Sequence, residues 1–130
     1  MTERHAGGGE TSVDGAAAER IRAAIDAEDP FPGTRGFAGV VDGRLVRDVL
    51  GRYPCFTERG DPTRWSFDPT ALDQPDAVPA GHVRTADGDE RLWSLPDVPV
   101  ITDDDAAVAT VREAVAASLD DVATDSLAVA

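Results

Sequence analysis

Hydrophobic positions along this chain change period twice, and each change marks a change of structure. Residues 1–12 (MTERHAGGGETS) offer nothing apolar to bury and are expected to be disordered. Ala17, Ile21, Ala24 and Ile25 then recur at helical spacing, which predicts an amphipathic helix from about Ala16 to Ala27. The run Asp29-Pro30-Phe31-Pro32-Gly33 ends it, because proline removes a helix donor and clashes with the preceding turn.

From Gly33 to Leu95 the alternation is that of strands. Gly36–Val41 is one strand, Asp42-Gly43 a tight turn and Arg44–Val49 the return. Tyr53–Thr57 is a third strand, 58–63 a turn and Arg64–Phe67 a fourth. A loop containing Pro69, Pro75 and Pro79 follows. His82–Thr85 and Glu90–Leu95 flank Asp87-Gly88 as a second hairpin. Beyond Pro96 and Pro99 the helical period returns. Val108, Val111, Val115 and Leu119 share a face, which predicts a helix over Ala106–Leu119. A loop over 120–125 and an apolar run, Leu127–Ala130, close the sequence. A run apolar on both faces belongs inside a sheet, so the sequence is expected to continue past it. The expected fold class is α+β: a short antiparallel β-meander or sandwich flanked by an N-terminal and a C-terminal helix. The expected organisation is a disordered start over 1–12, a β-domain over 13–100, and a helix and strand over 101–130 that lead into a further domain.

Composition narrows the range of partners. The formal charge is -13 over 130 residues, a surface that repels nucleic-acid phosphates and anionic lipid. All 12 basic residues are arginine and aspartate dominates the acids. An acidic protein from a GC-rich genome can show this bias, but the loss of every lysine favours a host with molar internal salt, such as a halophilic archaeon. At 1 M salt the Debye length is about 3 Å, so self-repulsion is screened. No apolar run reaches the ~18 residues of a membrane span and no signal-peptide core is visible, so a cytoplasmic location is expected. With one cysteine, no internal disulfide can form.

Single residues suggest little chemistry. Asp103-Asp104-Asp105 could attract a hard cation, but consecutive carboxylates cannot all converge on one ion, and a helix N-terminus explains them. Asp87-Gly88-Asp89 lacks calcium-loop spacing and reads as a turn. Cys55 and His82 are a conceivable nucleophile and base, although a cysteine in an apolar strand usually acts as a small hydrophobe. Gly7-Gly8-Gly9 follows no strand and reads as linker rather than phosphate loop, and Arg59-Gly60-Asp61 is three common residues in a turn. No residue is assigned a catalytic, cofactor-binding or metal-binding role.

Taken in order, the segments from Gly36 onward resemble the asparagine synthetase family. Arg47-Asp48-Val49-Leu50-Gly51-Arg52-Tyr53-Pro54-Cys55-Phe56 matches that family's RDxxGxxPL(Y/F) pattern except at Cys55. Trp65-Ser66-Phe67-Asp68 is similar to its strand ending in Ala-Ser-Glu. Pro79-Ala80-Gly81-His82 is similar to its Pro-Pro-Gly-His, and Arg91-Leu92-Trp93 to its Arg-Tyr-Trp. The resemblance spans about two-thirds of the chain. It implies a reduced class II glutamine amidotransferase region, half of an Ntn-type domain, with Arg47, Asp48, Gly51, Pro54, Phe56, Gly81 and Trp93 as structural motif positions. It also implies that the final helix and strand run into an ATP-pyrophosphatase domain whose SGGxDS loop holds ATP, so ATP and Mg²⁺ are expected only there.

The departures from the family bear on activity. Class II amidotransferases use an N-terminal cysteine whose own amine is the base. Here Thr2 follows Met1, in a glycine-rich setting with no preorganised oxyanion site. The family's glutamine-holding Arg-Leu pair and Asn-Gly-Glu turn have no counterpart before Gly36. The implied function is the N-terminal part of an ATP-dependent amide ligase that has lost its glutaminase. Two alternatives are a β-lactam synthetase-like ligase that uses another amine, and a non-catalytic module that docks on a separate ATP-pyrophosphatase subunit by donating Leu127–Ala130 to its sheet. The expected partner is thus the chain's own pyrophosphatase domain or that subunit, with a homodimer as a further option, and neither nucleic acid nor membrane.

Overall fold

The computed structural model describes residues 4–5, 10–33 and 35–124. They divide into two units, one within 1–95 and one from Pro96 onward, each described by itself below. Among the described residues the fold is α+β, with antiparallel sheets and two α-helices.

In the first unit the strands are β1 (Arg4–His5), β2 (Ser12–Asp14), β3 (Ala38–Val41), β4 (Arg44–Arg47), β5 (Phe56–Glu58), β6 (Asp61–Ser66), β7 (Pro75–Ala77), β8 (His82–Thr85) and β9 (Gly88–Arg91). Helix α1 (Ala18–Asp26) lies between β2 and β3. One sheet has the order β1-β6-β5-β7 and the other β2-β3-β4-β8-β9.

Period-two alternation sorts the second sheet's side chains onto two faces. On one face Phe37, Val41, Val46 and Val83 join Ile21 and Ala24 of α1 and Trp93 in a buried cluster. On the other, Ala38, Val40 and Leu45 join Cys55, Trp65 and Val78 of the first sheet's side. The result is three layers: helix, sheet, sheet. β3 is buried along its whole length because it is covered on both faces. Aromatic rings lock each cluster edge to face: Phe37 meets Trp93 at 5.6 Å and Trp65 meets Phe67 at 5.1 Å.

The Asp42-Gly43 turn forms as expected, with both residues at positive φ (53° and 78°), the primed geometry that suits strand twist. It sets Val41 opposite Arg44. Helix α1 ends at Asp26, before the prolines; just past its cap Glu28 takes φ 53°, and the Asp29 amide donates to the Ala24 carbonyl.

Several expectations need correction. The stretch 1–12 contributes Arg4–His5 to β1, which pairs with Arg64 and Trp65, and Ser12 to β2. The third strand is Phe56–Glu58 rather than Tyr53–Thr57, and the fourth starts at Asp61 rather than Arg64. The proline loop contains β7, an edge strand, where proline's missing donor is tolerated. The second hairpin turns at Ala86-Asp87, so its return is Gly88–Arg91 rather than Glu90–Leu95, with Thr85 opposite Gly88.

The second unit holds α2, Asp104–Thr124, longer at both ends than the expected Ala106–Leu119. Asp103 caps it: its Oδ2 accepts from the Ala106 amide at 3.2 Å. No helix of the described residues is long and apolar enough to cross a membrane. The strand expected over Leu127–Ala130, like Thr2 and Gly7-Gly8-Gly9, lies outside the described residues.

Candidate functional site

Five of the seven motif residues singled out in the sequence, all but Pro54 and Phe56, meet in one network around the end of β4. Arg47, the last residue of β4, extends its guanidinium toward the first sheet and donates three bonds to backbone carbonyls. Nε reaches Tyr53 at 2.7 Å, Nη1 reaches Val78 at 2.6 Å and Nη2 reaches Gly51 at 2.8 Å. One planar cation thus fastens the 51–53 loop and the segment after β7.

Asp48 is buried next to it. Its Oδ1 accepts from the Arg52 amide at 3.0 Å and its Oδ2 from Arg52 Nε at 3.1 Å, closing the turn 48–52. Its own amide donates to Phe37, and its carbonyl accepts from Gly51 and Gly81, each at 2.9 Å. Gly51 sits at φ 61°, where a Cβ would meet Arg47 Cζ at 3.3 Å. Glycine therefore lets the guanidinium approach.

Gly81, at φ 73°, accepts at its carbonyl from the amides of Leu92 and Trp93. Trp93 is buried and its Nε1 donates to the Ala24 carbonyl of α1 at 3.3 Å. Pro54 is exposed on the approach to β5, and Phe56 is half-buried within β5, opposite Ser66 and Ala77. Arg47, Asp48, Gly51, Gly81 and Trp93 thus form one backbone-directed network. Its charged groups bond carbonyls and amides of the chain itself and, at Asp48, the Arg52 guanidinium.

A second arginine clamp was not read from the sequence. Arg84 of β8 uses all five N–H groups. Nη1 bonds Thr57 Oγ1 and the Asp76 carbonyl, each at 2.9 Å, and Nη2 bonds the Ala77 carbonyl at 3.2 Å. Nε and Nη2 hold Asp89 in a fork at 2.7 and 2.9 Å. That fork holds the Asp89 carboxyl below its usual range, against a smaller opposing effect of burial. A cleft of about 290 Å³ lies over this clamp, lined by Thr57, Glu58, Asp76, Arg84, Thr85 and Asp89 among others. Its cation is saturated, so the cleft holds no open anion site. In the sequence, Arg84 is one polar position in an alternating strand. Only pairing across the sheets distinguishes it from a solvated side chain.

Glu58 is the third buried polar feature. Its Oε1 accepts from the Asp73 amide at 2.8 Å and its Oε2 from the Gln74 amide at 2.6 Å, with Arg64 Nη1 at 3.5 Å. Burial pushes the carboxyl up, but those amides, Arg64 and the Arg59 amide outweigh it and the net shift is down from 4.5. A lowered folded value stabilises the fold above the unfolded value, and that contribution is lost as pH falls through the folded one. Glu58→Gln is expected to flatten the acid side of the stability profile below pH about 5, measured by denaturant unfolding in high salt. An acid limb as steep as the parent's would show that Glu58 does not supply it.

Cys55 and His82 are not brought together as nucleophile and base. Cys55 is wholly buried among Ala38, Val40, Leu45, Trp65 and Val78. His82 is half-buried on β8, with Nδ1 at 2.8 Å from the Ala80 carbonyl. Burial pushes the Cys55 thiol up to about 12, against smaller opposing effects of Arg47 and Arg84. A thiol held there is not a nucleophile near neutral pH. In native protein, iodoacetamide is expected to label Cys55 only at the rate of global unfolding. Labelling at the rate of a free thiol would refute its burial.

No protein-family model, no curated protein and no solved structure matches the chain.

Proposed function

We propose that this chain is the N-terminal part of an asparagine synthetase-like ATP-dependent amide ligase, with an amidotransferase-like region reduced to a scaffold. The observation that supports the reading most is the junction itself. Residues 47–54, 79–82 and 91–93 resemble three separate family motifs, and five of their motif residues meet in one hydrogen-bonded network. The helix–sheet–sheet layering fits half of an Ntn-type domain.

In this reading the junction keeps two sheets in register and carries no chemistry. Adenylation of a carboxylate, with release of pyrophosphate, then attack by ammonia or another amine, belongs to a domain encoded beyond Ala130. ATP and Mg²⁺ bind there.

The test has two arms. The coding sequence downstream of Ala130 is expected to continue into Ser-Gly-Gly-x-Asp-Ser, and its full product to form asparagine from aspartate, ATP and ammonia in high salt. Pyrophosphate release without asparagine would shift the reading to a β-lactam synthetase-like ligase, and no such loop would overturn it. The 130-residue chain is expected to release no glutamate from glutamine, and release would overturn the loss of glutaminase.

A further inference from the structure

Three Asp-Gly pairs stand in the chain, at 14–15, 42–43 and 87–88, and the sequence contains no asparagine. Such a pair can react with itself. The glycine nitrogen bonds the aspartate Cγ, the carboxyl hydroxyl leaves with the amide proton as water, and a five-membered succinimide closes. Water then opens the ring. If it breaks the new bond, aspartate returns. If it breaks the bond to the original main-chain carbonyl, the chain runs on through Cβ as isoaspartate, with a free α-carboxylate. One water leaves and one enters, so no other reactant is needed.

Ring closure needs a free carboxyl and open space beside the glycine nitrogen. The structure withholds one or both at two of the three pairs. Arg22 forks the Asp42 carboxylate at 2.8 and 2.9 Å, and the Gly43 amide donates to the Glu10 carbonyl at 2.7 Å. The Arg22 bonds also hold the Asp42 carboxyl below its usual range, which keeps it an anion with no hydroxyl to lose. Asp14 is paired opposite Ala38 in β2, and Gly15 is wedged. A Cβ there would collide with the Gly36 carbonyl and lie 2.9 Å from Phe37 Cα.

Asp87-Gly88 has neither restraint. Both residues are exposed, and among the described residues no hydrogen bond or ion pair reaches the Asp87 carboxylate. Thr85 Oγ1 holds only the Asp87 amide, at 3.2 Å. A Cβ built on Gly88 meets nothing within 4 Å, so the carboxyl has room to swing onto the nitrogen. β9 is exposed along its whole length at the edge of its sheet, where local opening is easiest.

We propose that Asp87-Gly88 is a modification site at which the backbone isomerises to isoaspartate, and that the conversion unfastens β9. The inserted methylene lengthens the chain between Thr85 and Gly88, which are partners in the hairpin register. It draws Asp89 out of its fork with Arg84 and leaves Arg84 with its bonds to Thr57, Asp76 and Ala77. This inference does not depend on the ligase reading.

The test ages the 130-residue chain for weeks at neutral pH in high salt and then digests it with trypsin. Cleavage at arginine places Asp14 in peptide 5–20, Asp42 in 36–44 and Asp87 in 85–91. Isoaspartate elutes as a second peak of unchanged mass and is assigned by electron-transfer fragmentation. It is expected to accumulate at Asp87 at least about tenfold faster than at Asp14 or Asp42, and the three rates should converge in denaturant. Comparable rates in the folded chain, or an unchanged ratio in denaturant, would overturn the proposal. Hydrogen exchange over 88–91 should quicken in step with the isomerised fraction while that of β3 and β4 stays constant. Asp87→Glu, whose ring would need six members, should show neither change. Quickened exchange in aged Asp87→Glu, or unchanged exchange in isomerised chain, would overturn the release of β9.

Discussion

Arg47→Met is expected to cost ~3–5 kcal/mol, the largest effect of any single substitution considered for this chain. The substitution keeps an unbranched stem but ends short of the guanidinium, and it removes the three N–H donors that the junction uses. It leaves the carbonyls of Gly51, Tyr53 and Val78 facing an apolar chain. Each hydrogen bond from a charged donor contributes ~1.5–3 kcal/mol, and acceptors shut off from water lose more when the partner goes. The three are not independent, so the sum overstates the loss. A small domain has only ~5–15 kcal/mol in all, so the variant is expected to melt at least ~15 °C lower in high salt.

Arg47→Lys separates charge from geometry. Lysine keeps the positive charge but cannot aim three donors in one plane, so it should recover less than half of the loss. Full recovery by lysine would mean that charge alone matters at the junction. A loss under ~1 kcal/mol for methionine would show that water satisfies these carbonyls and that the clamp is decorative.

The same arginine shows what was readable from sequence. The pattern around Arg47, Asp48 and Gly51 resembles a family motif. Its reason could not be read, because Val78 lies 31 positions away and becomes a partner only when the sheets stack. Arg84 is the converse case. Nothing local distinguishes it from Arg44 or Arg91, yet it sends three bonds to the other sheet and two to Asp89 on the neighbouring strand.

Elements were legible where local chemistry and tertiary structure agree. The Asp42-Gly43 hairpin is one such place, since both turn residues favour the left-handed conformation it needs. β7 was missed because Pro75 argues against a strand everywhere except at an edge, and edge position is a property of the whole sheet. The 82–91 hairpin slipped because Asp87-Gly88 is a strong turn signal. The structure instead turns at Ala86-Asp87, with Arg84 opposite Asp89 and forked to it. The apolar stripe of α2 was legible as a helical face, but periodicity says nothing about whether a face is covered.

Gly81→Ala is expected to cost ~2–4 kcal/mol, and its origin can be separated from ordinary backbone strain by a built-in control. Gly81 sits at φ 73° and a Cβ there would lie 2.8 Å from the Trp93 carbonyl oxygen, which is backbone and cannot swing aside. Left-handed geometry alone costs an alanine ~1–2 kcal/mol. Relieving the contact must also move the 92–93 segment, whose two amides bond the Gly81 carbonyl, and with it the buried Trp93 ring. Gly60 occupies a similar conformation, φ 85°, with nothing within 4 Å of the added carbon. Gly60→Ala therefore carries the strain without the collision. Denaturant unfolding of the two variants in high salt should place Gly81→Ala at least ~1 kcal/mol below Gly60→Ala. Equal losses would mean that the 91–93 segment yields freely. The junction would then be a flexible lap joint rather than the rigid link between helix, sheet and sheet that the scaffold reading requires.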